Sequence, residues 1–317
     1  MQIPSIYYAI KPLIPRRFQI AFRRAIAAIK RKTYLDRWPI LPSAATPPRG
    51  WAGWPEKKKF ALVLSHDVDT ARGHDRCLRL MELEQRLGFF SSFNFVPEGY
   101  KVSPGLQQRL ADNGFAIGVH GLVHDGRTFN NRKIFEKRAT RINQYLDEWN
   151  SSGYHSPSMI RNLDWIAELN IEYDCSTFDT DPFEPQPESA GTIFPFLVKG
   201  SLNNRIYVEL PYTLPQDHCL FIILKETDIR IWQDKLRWIA ESGGMVFLNT
   251  HPDYMCFDGS VCGPEEYPVD MYASFLEHIK AHYWDQLWLA RPLEVARYCK
   301  KTMIWRPPQV VQGAVTK

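Results

Sequence analysis

The stretch Phe60 to Thr70, FALVLSHDVDT, constrains this chain more than any other. An unbroken apolar run, Phe60 to Leu64, stops abruptly at Ser65-His66-Asp67-Val68-Asp69. Such a run is the signature of a strand buried on both faces. In α/β proteins the carboxyl ends of these strands face the functional site. Asp67 and Asp69 therefore share one strand end, and two carboxylates there cost desolvation energy unless something positive stands beside them. A cation meets that need.

Its other ligands lie about fifty residues on. Phe115 to His120, FAIGVH, is a second strand-like run and opens into His120-Gly121-Leu122-Val123-His124. Histidines four apart on a helical turn can grip one ion. Two imidazoles and one carboxylate make three protein ligands with a position left open, the pattern of a catalytic rather than a structural zinc site. His251, in Thr250-His251-Pro252, follows a third apolar run, Met245 to Asn249.

Between these runs, strands and helices alternate. Helices are predicted over Arg76–Leu87, Pro104–Asn113, Asn131–Trp149, Leu163–Leu169, Ile229–Ala240, Val269–Tyr283 and Pro292–Lys300. Strands are predicted over Phe90–Val96, Gly153–His155, Ile171–Cys175 and Arg205–Leu210. Alternation of this kind implies a parallel sheet covered by helices. Seven or eight units in 317 residues suit an α/β barrel with extensions. Residues 179–198 form a Pro-rich excursion longer than an ordinary connection, and so belong to a candidate cleft.

The net charge of +4 hides an asymmetry, because thirteen Lys/Arg in residues 1–60 face only Asp36 and Glu56. The excess is a local arm rather than a basic domain, which argues against nucleic acid as a partner. Within it, Arg16 to Lys32 mixes Phe18, Ile20, Phe22, Ile26 and Ile29 with Arg and Lys. It reads either as a basic amphipathic helix on an anionic membrane surface or as a helix packed on the barrel. Six cysteines without CxxC spacing read as reduced thiols, and no run suggests an export signal or a membrane span. The expected location is cytoplasmic, with peripheral contact at the inner face of the membrane through residues 16–32.

These residues together resemble the polysaccharide deacetylases, the NodB-homology domain of carbohydrate esterase family 4. The resemblance covers roughly residues 58–300, leaving 1–57 as a basic extension and 302–317 as a tail. Ser65-His66-Asp67-Val68-Asp69 stands for the family's first motif and His120-Gly121-Leu122-Val123-His124 for its second. His155-Ser156-Pro157, Asp174-Cys175-Ser176-Thr177 and Leu248-Asn249-Thr250-His251 look like the third, fourth and fifth. Two positions depart from the pattern. Val68 stands where the family has its metal-binding Asp, so that role passes to Asp69, and His155 replaces an Arg that contacts the base.

The resemblance implies a distorted (β/α)7 barrel carrying a divalent metal, zinc above others, on Asp69, His120 and His124. It implies Asp67 as general base, His251 as general acid and Asp174 as the group orienting His251, with His155 and Pro157 at the substrate. The activity implied is removal of acetyl groups from an N-acetylated sugar in a glycan or its precursor. Relatives of the fold that open ring ureides, and a glycan-binding subunit without catalysis, are the alternatives. Plainer roles also exist for the same residues: the aspartates can cap a helix, and the histidines can be bonded core imidazoles.

Overall fold

The computed structural model describes residues 15–259 and 262–304, so most of the expected tail and the first fourteen residues lie outside the described part. Helix α1 (Arg16–Thr33) comes first. Strand β1 (Phe60–Val68) follows and is buried at every position. Then come α2 (Ala71–Leu87), β2 (Ser92–Phe95), α3 (Pro104–Asp112), β3 (Ala116–His120), α4 (Arg132–Glu148) and β4 (Gly153–His155). The second half holds α5 (Leu163–Ile166), β5 (Tyr173–Asp174), β6 (Phe196–Lys199), β7 (Ile206–Glu209), α6 (Arg230–Ser242) and β8 (Met245–Thr250). A small pair, β9 (Met255–Cys256) and β10 (Tyr267–Pro268), precedes α7 (Asp270–Tyr283), β11 (Leu287–Leu289) and α8 (Pro292–Thr302).

The predicted helices begin where local chemistry starts them. Thr70, Ser103, Asn131 and Asn162 each accept a backbone N–H of the first turn of α2, α3, α4 and α5. Gly88, at φ +90°, ends α2 in the left-handed conformation that favours glycine.

The strands run in the order β8-β1-β2-β3-β4-β5-β7, all parallel, with β6 added antiparallel at the far edge. β11 pairs with the first residues of β1 and β2 with its last, both opposite β8. The sheet curls until its ends approach. The segment after β7 reaches β8 through the Thr213 and Leu214 amides, which donate to the Phe247 carbonyl at 3.0 and 3.1 Å. The Thr213 hydroxyl also donates to the Met245 carbonyl at 2.7 Å. The result is the distorted barrel expected, closed by an irregular strand end. The core between sheet and helices is built on Phe60, Leu64, Phe93, Leu110, Trp232 and Phe275.

Helix α1 packs on the barrel, turned opposite to the orientation of a basic helix on a membrane. Three of its bases bind the protein: Arg24 Nε donates to the Ile222 carbonyl at 3.0 Å, Lys30 to the Pro182 carbonyl, and Arg31 pairs with Glu226. Phe18, Phe22 and Ile29 face outward and are 54%, 57% and 69% exposed. No described helix is long and apolar enough to cross a membrane.

The excursion after β5 is tied down by a buried ion pair. Lys235 of α6 is fully buried, and its Nζ lies 2.9 Å from Asp179 Oδ1. Burial pushes the Asp179 carboxyl up to about 6 even against the pull of Lys235. Lys235→Met strands that carboxyl and should cost about 3–5 kcal/mol of stability in urea melts. Adding Asp179→Asn should recover most of the loss; equal stability of single and double variants would show that the pair does not couple.

Candidate active site

Strand alternation explains the first two groups of the site. Asp67 and Asp69 are two apart, so they project to one side of β1's carboxyl end while Val68 between them enters the core. The extra residue relative to the family pattern thus keeps both carboxylates on the same face. Beyond the strand, the Asp69 amide donates to Asp253 Oδ2 at 3.0 Å, and Thr70 binds the other oxygen of the same carboxylate. Burial and the neighbouring Asp69 push Asp253 up to about 6.

His120 ends β3. Gly121, at φ +63°, turns the chain beneath the Pro157 ring, and the next residues are irregular rather than helical. This corrects the expectation of a helical turn: a tight bend, not helix periodicity, brings His124 back beside His120. The His120 Nδ1–H donates to the His155 carbonyl at 3.2 Å, which aims Nε2 at Asp69.

Asp69 Oδ1 lies 3.4 Å from His120 Nε2 and 3.5 Å from His124 Nε2. The three ligand atoms fall within 4.8 Å of one another. Donors about 2.0–2.2 Å from one tetrahedral ion stand about 3.4 Å apart, so the spacing fits a shared cation. Asp69 Oδ1 is also buried with no hydrogen-bond partner, an unmet acceptor facing two imidazole nitrogens. The trio can hold one divalent ion. Burial would raise Asp69, but the imidazoles of His124 and His120 outweigh it and hold the carboxyl well down.

Asp67 is buried beside the trio and held from three directions. Asn94 Nδ2 donates to its Oδ1 at 2.9 Å, Asn249 Nδ2 to its Oδ2 at 2.8 Å, and His155 Nδ1 stands 3.1 Å from Oδ1. Burial pushes this carboxyl up, but His120 and His155 prevail and keep it well below the usual carboxylate range. Gly118 makes room for the arrangement, since a Cβ there would fall 2.1 Å from Asn94 Oδ1.

His251 follows β8. Its Nδ1 lies 2.7 Å from Asp217 Oδ1, and its amide donates to Asp217 Oδ2 at 2.8 Å. Tyr267 donates its hydroxyl to the same carboxylate at 3.0 Å. Against burial, Asp217 raises the imidazole to about 10, so His251 carries its proton at neutral pH.

Three expected roles change. Asp174 does not orient His251; it accepts the Ser176 hydroxyl at 2.6 Å and faces Glu209, and burial keeps both carboxyls above their ordinary range. His155 and Pro157 lie beneath the cavity wall rather than on it. His155 serves Asp67 from behind, and Pro157 packs under Gly121, while Ser156, Ser158 and Met159 reach the cavity.

Asp67, Asp69, His120, His124 and His251 all line one cavity of about 130 Å³. Its opposite walls come from Glu184 and Pro185 of the excursion and from Gln19, Phe22, Arg23 and Ile26 of α1. Asp217, Asn94 and Asn249 were not anticipated as site residues, although Asn94 and Asn249 sit near the carboxyl ends of β2 and β8; Asp217 lies in the irregular segment after β7.

No family model and no curated protein matches the sequence. Solved structures do match in fold. A "putative polysaccharide deacetylase from Mycobacterium smegmatis" aligns with a TM-score of 0.63 at 18% identity, covering 83% of this chain and 99% of its own. PuuE allantoinase aligns with a TM-score of 0.63 at 15% identity, over 85% of this chain and 99% of its own. A "probable polysaccharide deacetylase from Pseudomonas aeruginosa PAO1" gives 0.63 at 15%, over 85% and 100%. At these identities the likeness is one of fold.

Purified protein equilibrated with zinc and desalted should hold about one ion per chain by elemental analysis, and His120→Ala well under a tenth of that. Asp67→Asn, outside the ligand trio, should keep its metal. Equal zinc in wild type and His120→Ala would place the ion elsewhere.

Proposed function

We propose that this chain is a metal-dependent hydrolase that removes the acetyl group from the nitrogen of a sugar, taken as a single unit or a chain end. The observation that carries the reading is the convergence of a three-ligand trio, a partnered carboxylate and a carboxylate-held histidine on one cavity. At about 130 Å³ the cavity is well below the roughly 300–1,000 Å³ of sites that enclose drug-sized ligands, and α1 supplies part of its wall. That favours a small substrate over a run of polymer.

The donor set of two imidazoles and one carboxylate suits zinc. When bound, the ion would supply Lewis acidity to the amide carbonyl and acidify the attacking water. Asp67 accepts the water's proton as general base, and its bonds from Asn94 and Asn249 hold the carboxylate in place. His251 donates its proton to the departing amine, and Asp217 keeps it charged and oriented until then.

A second reading, hydrolysis of a ring ureide, is favoured by the same small cavity and by the equal fold likeness to PuuE allantoinase. The membrane contact expected of residues 16–32 finds no support in α1, where Arg24, Lys30 and Arg31 are engaged with the barrel.

A panel of acetamido sugars and ring ureides, incubated with zinc-loaded protein, separates these readings. Acetate release supports the first, ureide opening alone the second, and silence on the whole panel with metal bound a binding subunit. Asp67→Asn should lower kcat about 10²–10⁴-fold with metal retained. For Asp217→Asn the alkaline limb of the rate profile should move to lower pH. His251 works protonated, and removing the carboxylate that raises it makes it lose that proton sooner.

A further inference from the structure

The reaction read above uses nothing from α1, yet this helix supplies part of the cavity wall. One of its contributions is a guanidinium. Arg23 is half-buried, lines the same space as Asp69, His120 and His124, and makes no hydrogen bond or ion pair within 4 Å among the described residues. Its neighbours on the helix differ: Arg24 and Arg31 are fixed to Ile222 and Glu226. A partly desolvated guanidinium left unpaired is costly, and five donors in a fixed fork suit a carboxylate or phosphate.

The acid nearest in effect does not meet that need. Glu184, on the excursion, feels Arg23 electrostatically but is engaged with the Tyr212 hydroxyl at 3.0 Å. Burial holds Glu184 toward its neutral form, and its neighbour Asp181 is pushed up to about 8 by burial and by Glu184. Lys30, one to two turns along α1, adds positive charge on the same side, while its own ammonium binds the Pro182 carbonyl. The α1 side of the cavity wall therefore carries a guanidinium that no described side chain pairs.

We infer that Arg23 binds an anionic group of the substrate, a carboxylate or a phosphate, so that the site selects a negatively charged small amide over its neutral counterpart. Arg23 is a specificity-determining residue brought to the site by α1, and the helix is part of the substrate pocket rather than an appendage. The inference takes the identity of the reaction from the hydrolase reading, but its binding test stands without catalysis.

The test is calorimetric titration of zinc-loaded full-length protein with N-acetylglucosamine, N-acetylglucosamine 1-phosphate and N-acetylmuramic acid, with acetate release measured in parallel. The two charged probes distinguish phosphate from carboxylate as the preferred anion. Wild type should bind at least one of them about tenfold more tightly than the neutral sugar, the scale of one charge-assisted hydrogen bond. Arg23→Gln should erase that preference and Arg23→Lys keep part of it. Any direct anion–zinc contact is common to all variants and cancels in the comparison. Arg24→Gln, which loosens the same helix without touching the cavity, should keep the preference and so separates charge recognition from helix docking. The inference is overturned if wild type binds charged and neutral sugars equally, or if the preference survives in Arg23→Gln. Charge preference without acetate release would retire the deacetylase reading alone; acetate release without charge preference would retire the role of Arg23 alone.

Discussion

Two carboxylates, buried Asp67 and half-buried Asp69, stand side by side at the end of the central strand, and the rest of the site answers that constraint. Charges taken out of water demand partners. Asp67 receives two amides and an imidazole, whereas Asp69 receives two imidazoles and keeps one oxygen unmet. The difference separates their chemistry. A carboxylate fixed by three donors is suited to exchange a proton from a set position, and one with an unmet oxygen beside two imidazole nitrogens is suited to share a cation with them. The same accounting extends outward to Asp253, which holds the Asp69 backbone and lies close enough to feel its charge.

The barrel makes this economical. Each partner arrives from the carboxyl end of a different strand, so no single segment must supply the whole constellation. Asn94 comes from β2, His120 from β3, His155 from β4 and Asn249 from β8, while Asp217 follows the irregular segment that closes the barrel. Closure by hydrogen bonds from Thr213 and Leu214 leaves the chain free to turn away and present Asp217 to His251. A regular strand continued through that point would carry the same residues past the site.

Much of this was legible in the sequence because buried parallel strands are written as apolar runs that end in polar residues. Phe60–Leu64, Phe115–His120 and Met245–Asn249 each announced a strand and, just beyond it, a side chain of the site. The same rule misled at Asp174. It also follows a strand-like run, but it turns toward Glu209 and Ser176, and nothing local distinguishes the two cases. Asp217 escaped notice because the segment before it is irregular, and β6 because its half-exposed Phe-Leu-Val-Lys shows no alternation. α1 was recognised as a helix, but its orientation was not, since composition does not say whether the basic or the apolar stripe faces the protein.

That orientation reaches into how the chain assembles. The partners of Arg24 and Arg31 are 198 and 195 residues away, and that of Lys30 is 152 away. Contacts so distant along the chain form late, because closing large loops is entropically slow to reward. During synthesis, Arg24 and Arg31 of α1 wait for Ile222 and Glu226 before the surface they bind exists. Until then the cavity lacks the part of its wall that Gln19, Phe22, Arg23 and Ile26 supply, so a helix distant in sequence completes the pocket.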